Sequence, residues 1–140
     1  MPRIIAIDYG LKRTGIAVTD PLKIIAKGLT TIPSNTLINF LKEYFLKEEV
    51  ELVIIGEPKN LDGSDTHATQ LVKSMVKKLM KEFPLMRIKT VDERYSSKMA
   101  SQAMLDMGMK KMQRRNKALV DEIAAAIILQ EYLRSQEGSV

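Results

Sequence analysis

Apolar and polar positions along the chain keep two rhythms, one of period two and one near 3.6. Residues 3–7 (RIIAI) and 15–19 (GIAVT) are short apolar runs rich in β-branched residues, with Gly10 in the turn between them. They predict two strands joined by a tight connection, most simply a hairpin. Residues 24–32 (IIAKGLTTI) predict a third strand, which Pro33 ends. Ser34 or Asn35 can then cap a helix to about Lys47, because Leu37, Ile38, Leu41, Tyr44 and Phe45 keep helical spacing. Residues 52–55 (LVII) read as a strand covered on both faces, stopped by Gly56-Glu57-Pro58. Turn chemistry at residues 60–64 (NLDGS) leads into a helix from about Asp65 to Phe83, where Pro84 ends it. Its stripe is Ala68, Leu71, Val72, Met75, Leu79 and Phe83. Residues 87–91 predict a fifth strand. A helix capped by Ser96 or Ser97 and closed by Gly108 follows, and Asn116 caps a last helix to about Arg134.

The order is β-β-β-α-β-α-β-α-α. Three consecutive strands imply an antiparallel meander, and two late strands that enter through helical crossovers run parallel to the first. The expected fold is α/β, an open five-stranded mixed sheet with helices on both faces. No repeat or linker interrupts residues 1–140, so they read as one domain. With 45% apolar and 28% charged residues, the composition is that of a folded globular chain. Cysteine is absent, which excludes disulfides and thiolate metal sites. No run reaches membrane-spanning length and no signal-peptide pattern opens the chain, so a cytoplasmic location without membrane contact is expected.

Candidate chemistry gathers where the parallel strands end. The first ends at Asp8, the second near Glu57 and the third at Asp92-Glu93, all on one edge of the sheet. In open α/β sheets ligands collect at that edge. On the last helix Asp121, Ala124, Ala125, Ile128 and Tyr132 share a face, and the small Ala124, Ala125 and Ala126 let it lie close to the sheet. Asp121 would then point to the same strand ends. Each acid alone has a plainer explanation: a turn-bonding aspartate at position 8, a surface pair of Glu93 with Arg94, a first-turn acid favoured by the helix dipole at 121. Together they suggest carboxylates that repel one another until a divalent cation joins them. Oxygen ligands favour Mg²⁺ or Mn²⁺, and cations nearby suit phosphodiester hydrolysis.

Those cations are present. Lys12 and Arg13 follow Asp8, and Arg94 follows Glu93. The net charge is +5, and Lys110, Lys111, Arg114, Arg115 and Lys117 form a run with no acid among them. The run reads either as a solvated loop or as a nucleic-acid contact beside the acids. His67, the one histidine, reads as a surface residue, and the nine methionines as core filler.

The segment DYGLK resembles the first phosphate-binding hairpin of actin-like and sugar-kinase ATPases. Those enzymes use two such domains, and no Walker A pattern is present here. A fuller resemblance comes from four ordered motifs: DYGLKRTGIAVTD (8–20), GEPKNLDGS (56–64), DERYSS (92–97) and VDEIAAAIILQEYL (120–133). They resemble the YqgF or RuvX family of Holliday junction resolvases, also described as pre-16S ribosomal RNA nucleases. The resemblance spans nearly the whole chain. It implies an RNase H-like fold similar to that of the RuvC resolvases, in a bacterial cytoplasmic protein. By motif match, Asp8, Glu93 and Asp121 take the places of the family's acidic triad, and Lys12, Arg13 and Arg94 its basic positions. The implied substrate is structured RNA or branched DNA, with pre-16S 5′-end processing and junction resolution as the two activities. Resolution of a two-fold junction requires a homodimer. Glu57 departs from the pattern, which usually has an apolar residue there, and reads as a fourth carboxylate or a solvent-facing one. The competing function is a nucleic-acid-binding module that keeps the fold without turnover.

Overall fold

The computed structural model describes residues 2–20, 22, 25–60, 62–93, 102 and 116–137. Its elements run β1 (Arg3–Tyr9), β2 (Arg13–Thr19), β3 (Ala26–Pro33), α1 (Leu37–Lys47), β4 (Val50–Glu57), α2 (His67–Glu82), β5 (Ile88–Asp92) and α3 (Lys117–Glu137). The expected helix between β5 and α3 lies outside the described residues. So do Arg94 and the basic run from Lys110 to Arg115. Lys117 is described as the first residue of α3.

One five-stranded sheet has the order β3-β2-β1-β4-β5. β1 pairs antiparallel with β2, and β2 with β3, while β4 runs parallel to β1 and β5 parallel to β4. This is the expected meander plus two crossover strands. β1 lies at the centre, and strand alternation divides its side chains between two cores. Ile5 and Ile7 join Ile16, Val53 and Ile55 under Leu37 and Leu41 of α1 and Val72, Met75 and Leu79 of α2. Ile4 and Ala6 join Ala17, Leu52 and Ile54 under Ala125, Ile128, Leu129 and Leu133 of α3. The second core is built from smaller residues, so α3 lies close on the sheet.

Two helix starts differ from the sequence reading. Ser34–Thr36 form a 3-10 turn before α1, without a side-chain cap. The Ser34 hydroxyl is occupied instead, donating to the Gly10 carbonyl at 2.6 Å and lying 2.8 Å from Thr14 Oγ1. Helix α2 begins at His67 rather than near Asp65, because Thr66 and Thr69 form a reciprocal capping box. Asp65 is held away by Lys59 at 2.6 Å and Lys73 at 3.0 Å. Asn116 caps α3 as expected, accepting from the amides of Ala118 and Leu119.

Candidate active site

Asp8 is the next-to-last residue of β1 and lies on the α3 face, in phase with Ile4 and Ala6. Its partner across β2 is Gly15. On the other side, Gly56 of β4 follows Ile55, the partner of Ile7. Asp8 is thus flanked by strands whose glycines carry no side chain on its face.

One gap is filled by the backbone at Asp121 and the other by the side chain of Glu93. A Cβ at Gly15 would fall 2.1 Å from the carbonyl oxygen of Asp121, so the backbone of α3 rests directly on that glycine. A Cβ at Gly56 would fall 2.6 Å from Glu93 Oε2, so the Glu93 carboxyl lies across it. The Glu93 amide donates to the Glu57 carbonyl at 3.2 Å, which continues the parallel ladder past β5 and fixes the turn of the chain there. The two glycines therefore bring Asp121 and Glu93 to Asp8 from opposite sides. The sequence reading missed the role of this pair. Its signal was strand alternation, which puts Gly15 and Gly56 on Asp8's face.

Burial pushes the Asp8 carboxyl up to about 6, the hydrogen bond with Glu93 opposes the rise, and the charge of Asp121 adds to it. Asp121 accepts from Arg13, whose Nε lies 3.1 Å from its Oδ2. Among the described residues no three acid or histidine side chains stand ready-arranged to hold a metal ion. Of the three acids, Asp121 is paired with Arg13. The donor set nevertheless suits a metal ion. It offers hard oxygens, without thiolate or imidazole, around a desolvated acid.

Lys12 lies exposed on the turn between β1 and β2, and Arg13 begins β2 beside it. Glu57 is largely covered and carries an ion pair of its own. Its Oε1 pairs with Lys59 Nζ at 2.9 Å, and Lys59 also holds Asp65. The Glu57→Leu variant should accordingly leave Mn²⁺ affinity unchanged in a calorimetric titration, whereas Glu93→Gln should weaken it by at least about tenfold.

Two solved structures show where this fold occurs. T. thermophilus RuvC in complex with a Holliday junction substrate superposes with a TM-score of 0.56 at 16% identity, covering 99% of this chain and 97% of that one. The fowlpox virus resolvase bound to Holliday junction DNA gives 0.54 at 14% identity, covering 96% and 98%. The fold is the RNase H-like fold of these resolvases. The family model described as RuvX, Holliday junction resolvase, matches residues 2–135. A protein of Flavobacterium psychrophilum is 60% identical over 95% of this chain and 97% of its own length, and one of Flavobacterium johnsoniae is 57% identical over 97% and 99%. Both carry the name "Putative pre-16S rRNA nuclease". The chain belongs to the RuvX family, and these names make it a phosphodiester-cleaving enzyme. No helix among the described residues is long and apolar enough to cross a membrane.

Proposed function

We propose that this protein is a divalent-metal-dependent endonuclease that cleaves structured RNA, processing the 5′ end of pre-16S ribosomal RNA, with Asp8, Glu93 and Asp121 as its catalytic carboxylates. The observation that carries this reading is the convergence of Glu93 and Asp121 on half-buried Asp8 across two glycines. The RNA substrate is favoured by relatives above 50% identity that share the pre-16S name over nearly their full length.

These three acids would hold Mg²⁺ or Mn²⁺. When bound, the ion supplies a Lewis acid for the charge that develops on the phosphate and its leaving oxygen. Asp8, on the central strand and packed from both sides, provides the fixed point of the site. Glu93 shares a hydrogen bond with Asp8 and so keeps its carboxyl turned inward. Asp121 brings the third carboxylate on a rigid helix. Lys12, Arg13 and Arg94 would bind the phosphates next to the scissile bond.

Junction resolution is the second reading. The family description and the junction complexes of the two structural relatives favour it. It requires a homodimer, and sedimentation with and without a four-way junction tests that requirement. The deciding assay incubates the protein with labelled pre-16S precursor and with a four-way DNA junction, each in Mg²⁺, Mn²⁺ or EDTA. Metal-dependent cuts near the mature 5′ end, absent with Asp8→Asn, are expected. Symmetric cuts confined to the junction would assign the second reading. Binding without cuts in any metal would leave a non-catalytic module.

The basic run also belongs to this proposal. Its last member, Lys117, begins α3 four residues before Asp121, about one turn of helix away, which supports this. Replacing Arg114 and Arg115 together by alanine should weaken binding of many sequences alike and flatten the salt dependence by roughly two units. An unchanged slope, measured by fluorescence anisotropy, would assign the run to a solvated loop.

A further inference from the structure

We propose that Arg13 and the divalent cation compete for Asp121: Arg13 holds the carboxylate in the metal-free protein and passes to a substrate phosphate when the metal takes its place. The inference rests on the metal reading above and adds an order to it, with metal first and phosphate grip second.

The contact has the properties such an exchange needs. It is a single bond, from Nε to Oδ2 at 3.1 Å, between side chains 40% and 25% exposed. Partly exposed pairs of this kind are weak and give way readily to a stronger ligand. Among the described residues Asp121 is the one partner the Arg13 side chain has, so the two terminal nitrogens of its guanidinium stay available. That planar fork matches the geometry of a phosphate.

The backbone beneath Arg13 is fixed, so only the side chain can move. Arg13 pairs with Pro33 at the start of β2, and its carbonyl accepts from the Gly10 amide at 3.0 Å. Ser34, buried, ties the same turn from the other side. Its hydroxyl donates to the Gly10 carbonyl and its amide donates to the Lys12 carbonyl at 3.0 Å. The turn thus presents Arg13 from a constant anchor within reach of Asp121. A dication held by Asp8, Glu93 and Asp121 would stand beside the guanidinium and repel it. The freed side chain would then meet the anion that the metal also attracts.

Two measurements test this, one without nucleic acid. Calorimetric titration of Mn²⁺ into Arg13→Gln should show binding about threefold tighter than to the wild-type protein, because a competing cation is gone. Anisotropy with a labelled four-way DNA junction and a labelled pre-16S leader RNA should be run in EDTA and in Ca²⁺. The Arg13→Gln variant should bind both probes as the wild-type protein does in EDTA and more weakly in Ca²⁺. The wild-type salt slope should be steeper by about one unit in Ca²⁺ than in EDTA, a difference the variant lacks. The Asp121→Asn variant, which frees Arg13 by another route, should bind more tightly in EDTA, and adding Arg13→Gln should remove that gain. Weaker Mn²⁺ binding by Arg13→Gln would overturn the proposal and make Arg13 a support for Asp121. Equal loss of nucleic-acid affinity in EDTA and Ca²⁺ would also overturn it, leaving a permanent phosphate contact. Failure of the metal reading itself would show earlier, as absence of Mn²⁺ binding to the wild-type protein.

Discussion

The Gly15→Ala variant should melt roughly 10 °C below the wild-type protein, a loss of about 3 kcal/mol, and should lose most of its nuclease activity. The added methyl would lie 2.1 Å from the Asp121 carbonyl oxygen and 2.4 Å from its carbonyl carbon. Both obstacles are backbone, so no rotamer change relieves the overlap. Helix α3 would have to lift from β2, opening the core of Ile4, Ala6, Leu129 and Leu133 and carrying Asp121 away from Asp8. Gly28→Ala is the matched control. Its methyl would meet Glu122 Cγ at 2.7 Å, part of a flexible side chain that can swing aside. Thermal unfolding of the two variants should therefore differ sharply, although each adds one methyl under the same helix. Gly56→Ala falls between them. It meets side-chain atoms of Glu93 and Ile128, so its cost in activity should exceed its cost in stability.

The Asp8→Asn variant should abolish cleavage and, in EDTA at neutral pH, unfold later than the wild-type protein. Asp8 has its carboxyl pushed up to about 6 from an ordinary 3.8, first by burial. The folded state thus binds the proton more tightly than the unfolded state does. Below about pH 4 both states are protonated, and the burial of Asp8 costs no charge. Between about 4 and 6 the unfolded chain ionises first, so stability falls as pH rises, and the full penalty holds above 6. The two-unit shift corresponds to about 3 kcal/mol at most, which the neutral amide avoids. Denaturant unfolding from pH 4 to 7.5 should show the wild-type curve falling relative to the variant's. Saturating Mn²⁺ should reverse the difference at pH 7.5, stabilising the wild-type protein and leaving the variant unmoved. A wild-type protein as stable as Asp8→Asn across that range would mean that Asp8 is not strained by its surroundings.

The sheet was legible because its local and long-range signals agree. Ile4 to Ile7 and Leu52 to Ile55 are apolar on both faces, which only central strands covered by helices tolerate, and they have those positions. The convergence of Asp8, Glu93 and Asp121 could be argued from strand ends and one helix face. Features decided by partners distant in sequence were not legible. Asp65 stood at the expected start of a helix, yet Lys59 and Lys73 take its carboxylate, and the helix begins after the Thr66 cap. Ser34 had the character of a helix cap, yet its hydroxyl serves the turn after β1. Glu57 could be judged only once Lys59 was seen to fold back on it. Arg13 had every mark of a phosphate contact, and its pairing with Asp121 spans 108 residues of sequence. Gly15 and Gly56 were open to the alternation argument, but a glycine's role as a cradle appears only when the acid above it is known.

The central claim is that Asp8, Glu93 and Asp121 together form a metal-binding nuclease centre. Anomalous scattering from Mn²⁺ soaked into crystals of the protein tests it most directly. The account predicts a strong peak bounded by the carboxylates of all three residues, absent from crystals of Asp8→Asn. Mn²⁺ bound elsewhere on the protein with no peak at these acids, or a peak there that survives Asp8→Asn, would contradict it.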